Sequence, residues 1–209
     1  ASRMTMSNVA VEAGAKCALF TPDEKTAEYC DITLNDYQKS LVGDADANYC
    51  KVMEYKAEDF VPVMACPSQV DKIRNVSELE GTEIDQVFIG SCTNGRLEDL
   101  AAAAEVLKGR QVAKFVKLIV TPASRKIYKQ AADLGILETL AEAGAMITHP
   151  ACGLCCGRAG GILTDGERVV ATNNRNFLGR MGTSKVQIYL ASPRTAAACA
   201  VAGKIVCPE

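Results

Sequence analysis

The chain has 209 residues, 48% of them hydrophobic and 23% charged, with a formal net charge of −2. That is the composition of a folded domain with a real core, and it lacks the basic footprint that nucleic-acid binding requires. No apolar run approaches the roughly 18 residues of a membrane span, and the opening ASRMTMSNVAVEAGAK lacks the charged, apolar and small-residue zones of a secretion signal.

The chain opens without an initiator Met, and we expect it to be a piece of something longer. Val9 to Lys16 predicts a helix and Cys17 to Phe20 a short buried strand. Pro22 to Tyr29 predicts a second helix, with Thr21 as N-cap and Pro22 at the first position. DITLNDYQKSLVGDADANYC is polar and predicts a helix and a loop, and Val52 to Lys56 a strand. Residues 60–80 hold two prolines and no clear period, so they are expected to connect two subdomains.

From there the α/β rhythm is regular. QVFIG reads as a buried strand, SCTNGR as its exit loop, and LEDLAAAAEVLKG as an alanine-rich helix. FVKLIV is the next strand. Ser124 caps a helix through Leu134, which Gly135 ends, and ILETLAEAG is a further helix. AMITH, RVVAT and VQIYLA are strands, and SPRTAAACAVAG is a closing helix with Ser192 at the cap and Pro193 just inside. Strands alternating with helices imply a mainly parallel sheet covered on both faces, a three-layer α/β/α fold. In such sheets the loops leaving the strand ends face the ligand crevice. SCTNGR, ACGLCCG and TNNRNFLGR are three such loops.

Ten cysteines in a chain this long do not suggest a disulfide framework. Cys17, Cys30, Cys50, Cys66, Cys199 and Cys207 stand singly in apolar surroundings, and are expected to be buried, reduced thiols. The reducing cytoplasm is the compartment that fits them.

HPACGLCCG is different. Cys152 and Cys155 form a C-x-x-C, which suits a redox dithiol, although its late position is unlike thioredoxin. Zinc wants four ligands in two pairs, and only one pair is present beside the single His149. A lone His at a strand end is more often a core or hydrogen-bonding residue than a ligand. An iron–sulfur cluster takes thiolates, and Cys92 adds a third donor if the SCTNGR loop meets the ACGLCCG loop. Nearby backbone amides and the following helix N-terminus would stabilise its sulfur. Three ligands on a four-iron cube leave one iron for Lewis-acid work.

The stretches MSNVAVEAGAK, IGSCTNGRLEDL, HPACGLCCG and NNRNFLGRMG, in that order, resemble the aconitase superfamily of [4Fe–4S] hydro-lyases. NRNFLGRMG and the ending YLASPRTAAACAVAGKI are most similar to the branch containing the 3-isopropylmalate dehydratase and homoaconitase large subunits. The resemblance implies an aconitase-like cluster domain at residues 71–209 and, at 1–70, the end of a preceding α/β domain. It implies Cys92, Cys152 and Cys155 as ligands of a [4Fe–4S] cluster. Asn174 and Asn8 match asparagines near the cluster, Arg175 and Arg180 match arginines that hold substrate carboxylates, and Glu12 matches an acidic residue of the site. A guanidinium fork suits a carboxylate by its own chemistry. On a helix, Asn8 and Glu12 would share a face.

The implied reaction is reversible dehydration of a hydroxy di- or tricarboxylic acid. The implied partners are a small subunit carrying a swivelling domain with the serine base, and an N-terminal part of the large subunit with further site residues. Cys156 falls where the family has an aliphatic residue and reads as packing or a spare thiol. Leu154 stands where proline is common, and RAGG departs from the usual sequence. Asn94 and Arg96 read as residues that hold their loop, TDGER as a turn, and Lys126, Lys129 and Asp133 as a solvated helix face. An iron-sensing RNA-binding role is disfavoured by the acidic balance, and an electron carrier by the want of a well-spaced fourth thiolate.

Overall fold

A computed structural model describes residues 1–208. The elements run α1 (Ser2–Val9), α2 (Glu24–Cys30), α3 (Asp36–Lys39), β1 (Val63–Ala65), β2 (Ile73–Asn75), β3 (Gln86–Gly90), α4 (Leu97–Leu107), β4 (Lys117–Thr121), α5 (Arg125–Asp133), α6 (Ile136–Glu142), β5 (Met146–Ile147), β6 (Arg168–Ala171), β7 (Gln187–Leu190) and α7 (Pro193–Ala202). Short 3₁₀ turns intervene, among them Ala10–Ala13 and Gly153–Cys156.

All seven strands join one sheet in the order β2-β1-β7-β6-β3-β4-β5. β7, β6, β3, β4 and β5 are parallel, and β1 runs antiparallel to both β7 and β2. The parallel register, with Gly90 beside Thr121 and Val120 beside Ile147, brings the C-terminal ends of β3, β4 and β5 to one edge.

Strand alternation divides the core in two. Val87, Ile89, Leu118, Val120 and Val170 face one way and pack with residues of α4, α5, α6 and α7. Ala103 and Ala104 of α4 and Ala196, Ala197 and Ala200 of α7 are all buried, so small side chains let these two helices lie close. Phe88, Ile119, Val169, Ala171 and Ile188 face the other way. Their cover is the 3₁₀ helix Gly153–Cys156 and the segment behind it, through Leu154, Cys155, Leu163, Met181 and Val186. The layered α/β architecture expected from the sequence is present, with the cysteine turn itself serving as cover on the second face.

The caps foreseen for the later helices are present. Ser124 accepts a hydrogen bond from the Ile127 amide at 3.2 Å, and Ser192 from the Thr195 amide at 3.2 Å, with Pro193 opening α7.

The N-terminal third departs from expectation. The first helix lies earlier than Val9–Lys16, at α1, and finishes as the 3₁₀ turn Ala10–Ala13 before left-handed Gly14. Cys17–Phe20 is irregular rather than a buried strand, and Leu19 is 90% exposed. Val52–Lys56 is likewise irregular and exposed. Neither run finds a neighbouring strand edge, without which an apolar run is not a strand. The cap of α2 is Asp23, accepting from the Thr26 amide at 3.0 Å, not Thr21. Residues 60–80 are not a bare connection, since they supply β1 and the edge strand β2. No residue before Met64 is buried.

Candidate active site

The loop after β3 carries Cys92, and packing fixes its path. A Cβ on Gly95 would sit 2.5 Å from the Ser91 carbonyl and 2.6 Å from that of Thr121, so only glycine lets this loop press against the end of β4. Asn94 adopts left-handed backbone at φ 61, which asparagine tolerates. Cys92 is exposed just ahead of the N-terminus of α4.

The loop after β5 carries the other thiols. Cys152 is exposed, Cys155 buried and Cys156 half-buried. Leu154, at 1% exposure, is the peg that sinks the turn into the second core. At Gly157, φ is +64 and a Cβ would lie 2.7 Å from the Arg180 carbonyl. That close approach docks the turn onto the segment after β6.

The two loops meet. Burial pushes the Cys152 thiol up from its ordinary value, and the charges of Cys156, Cys92 and Cys155 push it further. Cys92 and the cysteine turn therefore lie within electrostatic reach of each other. Three neighbouring thiols raise the cost of ionising Cys152, a cost that a cation at the site would relieve. Among the described residues, no three His, Cys, Asp or Glu side chains gather at the spacing of a single metal ion. A cube takes each thiolate on a different iron, so its ligands stand further apart than those of one ion. The donor set fits such a group.

A polar network joins the loop after β3 to α1 and the loop after β6. The Asn94 side-chain amide donates to the Thr172 carbonyl and, at 2.9 Å, to Asn174 Oδ1. Asn174 donates to Asn8 Oδ1 at 2.8 Å. Arg175 donates to Glu12 Oε1 through Nε at 2.6 Å and to Asn8 Oδ1 through Nη1 at 3.0 Å. Its Nη2 reaches the Asn8 carbonyl at 3.4 Å. Thr5 donates to Asn94 Oδ1 at 2.6 Å, and Arg96 to Thr5 Oγ1 at 3.2 Å. Asn8, Glu12, Asn174 and Arg175 thus come together as one cluster on α1, its 3₁₀ extension and the loop after β6.

Arg180 stands apart from Arg175. Its Nη2 points at Cys155 Sγ at 3.7 Å, while its Nε is buried with no protein partner. Asn94 and Arg96, read from sequence as mere loop residues, are the hubs that tie the Cys92 loop to α1. Asn173 lies 2% exposed with an unpartnered Oδ1, and the sequence reading missed it. Its only signal was its place in the NNRN stretch.

The single histidine is not a core residue. His149 is exposed and stacks on Tyr128 with ring centroids 6.1 Å apart. Of the six scattered cysteines, Cys66 and Cys199 are buried as expected. Cys17, Cys30, Cys50 and Cys207 are exposed instead; the segments around the first three pack on no core, and Cys207 lies just beyond the buried Ile205. No disulfide joins any of the ten cysteines.

The fold and site define an α/β domain whose parallel-strand loops present neighbouring thiols and a network of amide and guanidinium groups. Family comparison makes this specific: the model of the aconitase family (aconitate hydratase) matches residues 1–80 and 69–203, and the chain belongs to that family. It is 50% identical over 208 residues, all of its length, to the 3-isopropylmalate dehydratase large subunit of Sulfurihydrogenibium sp. (strain YO3AOP1), of which the match covers 48%. It is 48% identical to 3-isopropylmalate dehydratase large subunit 2 of Archaeoglobus fulgidus, over 99% of the chain and 50% of that protein. It is also 50% identical to the homoaconitase large subunit of Thermus thermophilus, over 99% of the chain and 48% of that protein. The chain spans about half the length of the curated relatives it matches.

Proposed function

We propose that the chain is the cluster-binding half of a hydro-lyase large subunit that dehydrates and rehydrates a hydroxy di- or tricarboxylic acid. The observation that carries this reading is the meeting of the Cys92 loop with the Cys152–Cys156 turn, beside the Asn8–Glu12–Asn174–Arg175 network. Family membership supports it.

Cys92, Cys152 and Cys155 would hold a [4Fe–4S] cluster. When bound, such a group supplies Lewis-acid chemistry at an iron without a protein ligand. Arg180 donates to the Cys155 sulfur at 3.7 Å and fixes its direction. Asn174, fixed from both sides by Asn94 and Asn8, ties the loop that carries Cys92 to α1.

Arg175 uses three nitrogen donors on Glu12 and Asn8. A guanidinium has five N–H groups, so donors remain for a substrate carboxylate while Glu12 holds the fork in place. Arg180 Nε, buried and unpartnered, is a second donor for a carboxylate. Glu12 is the acid–base candidate within this chain.

Residues 1–70 fit the end of a preceding domain, since nothing before Met64 is buried. The activity would require the rest of a large subunit and a small subunit, whose existence the relatives' names suggest. The cytoplasm is the proposed compartment. No helix among the described residues is long and apolar enough to cross a membrane.

The test is anaerobic mixing of the cluster-loaded chain with the missing half and the small subunit of a relative, followed by the ultraviolet absorbance of the unsaturated acid. Turnover in the mixture and none in the chain alone is expected. Turnover by the isolated chain would overturn the incompleteness, and failure of a loaded mixture would overturn the reaction.

A further inference from the structure

Asn94 and Gly95 are the one Asn-Gly pair in the chain, and the fold demands both residues. The left-handed backbone at φ 61 is open to asparagine and glycine but strained for most side chains. At Gly95 a Cβ would meet the Ser91 and Thr121 carbonyls at 2.5 and 2.6 Å. The packing that shapes the loop after β3 therefore imposes the dipeptide in which an asparagine amide is most easily attacked, since glycine has no side chain to shield its nitrogen. What opposes that attack is the bonding of the Asn94 side chain. Its amide nitrogen donates to the Thr172 carbonyl and, at 2.9 Å, to Asn174 Oδ1, while its oxygen accepts from Thr5 at 2.6 Å. The Thr5 restraint comes from α1, a helix that buries no residue of its own. A helix held by polar contacts alone opens at small cost.

We infer that Asn94 is a modification site, a deamidation switch kept closed by its three hydrogen bonds and opened when α1 lifts away. The chemistry needs only water. The side chain swings off its partners, and the Gly95 nitrogen attacks Asn94 Cγ. A C–N bond to the main chain forms, the C–N bond to the side-chain nitrogen breaks, and ammonia leaves with the proton that Gly95 gives up. Water then opens the five-membered imide at either carbonyl. One opening gives aspartate at position 94. The other gives isoaspartate, which routes the main chain through the side-chain carbon and lengthens it by one atom. Half-buried Asn94 lies within reach of solvent for this step. Either product loses the amide donor, so an acceptor faces the Thr172 carbonyl and Asn174 Oδ1, and the tie between the loop after β3 and the loop after β6 is lost. The isoaspartate also pushes extra chain into the space that the Gly95 packing leaves closed. The modification proceeds whether or not the loop holds a cluster.

The experiment incubates the iron-free chain in warm neutral buffer, folded or in concentrated urea, then alkylates the thiols and digests with trypsin. Residues 75–96 form one peptide, in which fragment ions distinguish Asn94 from Asn75. Among the asparagines of the folded chain, Asn94 should convert first. Its conversion should run at least ~10-fold slower folded than in urea, from two or more hydrogen bonds at about 1 kcal/mol each. Thr5→Val, which keeps the shape and removes one of them, should convert about fivefold faster than the unsubstituted chain. The converted fraction, separated by its added negative charge, should exchange its amides faster in residues 91–97 and 172–176. Equal rates in folded chain and urea would overturn the inference. So would another asparagine converting first, Thr5→Val matching the unsubstituted chain, or converted material that exchanges as before. The comparison of folded chain with urea uses the unsubstituted sequence, so the outcome does not depend on the variant folding well.

Discussion

Leu154 tests how the second core holds the cysteine turn. It lies between two proposed ligands, yet it is 1% exposed among Phe88, Ile119 and Met181. Leu154→Ala removes three carbons from a site with no access to water. At about 0.8 kcal/mol per buried methylene, the transfer loss alone is about 2.4 kcal/mol. The cavity left behind raises the cost to about 3–4 kcal/mol. With a urea slope of about 2 kcal/mol/M, the unfolding midpoint of the iron-free chain should fall by roughly 1.5–2 M. Leu154→Met, which keeps the volume, should cost less than about 1.5 kcal/mol. The assay is equilibrium urea unfolding followed by far-ultraviolet circular dichroism. A midpoint shift below about 0.3 M in Leu154→Ala, with an unchanged slope, would refute the claim that this leucine anchors the turn.

Three other outcomes follow from the same geometry. Glu12→Gln keeps the shape but removes the charge that holds Arg175, a pair whose side chains are 18% and 25% exposed. After solvent screening the loss is about 1 kcal/mol, so amide exchange in residues 2–13 should quicken about fivefold, and unchanged exchange would show that the pair does not secure α1. Gly95→Ala would drive a methyl group into the Ser91 and Thr121 carbonyls. A loss of about 2–3 kcal/mol in urea unfolding is expected, and a neutral result would mean that the Cys92 loop is not held as described. Burial in α7 pushes the Cys199 thiol up to about 11 from an ordinary 9.0. A raised pKa means that the folded chain keeps its proton longer. Its stability contribution is therefore whole below pH 9.0 and falls as pH rises toward 11. By pH 11 the unsubstituted chain should have lost about 2 kcal/mol relative to Cys199→Ala, and parallel stability curves for the two would contradict this.

The second half of the chain was legible because its signals are local and mutually consistent. QVFIG is a buried run, Ser124 and Ser192 are caps with partners three residues on, and Pro193 sits at the one helical position that welcomes it. The first third was misread because Leu19, Phe20, Val52 and Tyr55 have the side chains of a core without a surface to bury them against. A strand is made by its neighbour as much as by its own residues. For the same reason Cys17, Cys30 and Cys50 could not be told from Cys66 and Cys199 by their flanking sequence. The site divides similarly. The positions of Cys92, Cys152 and Cys155 were legible from their motifs, and Asn8 and Glu12 do reach a common partner in Arg175. The hub role of Asn94 and the Arg180–Cys155 contact depend on how three distant loops pack. No spacing within one loop announces that.

The proposed function requires the Cys92 loop and the cysteine turn to grip one cluster. Its most direct test is the iron and acid-labile sulfide content after anaerobic reconstitution, compared between the chain and Cys92→Ser. The unsubstituted chain should take up about four irons and four sulfides, and Cys92→Ser should retain only a small fraction of both. An unsubstituted chain that binds neither, or a Cys92→Ser variant that keeps the full complement, would contradict it.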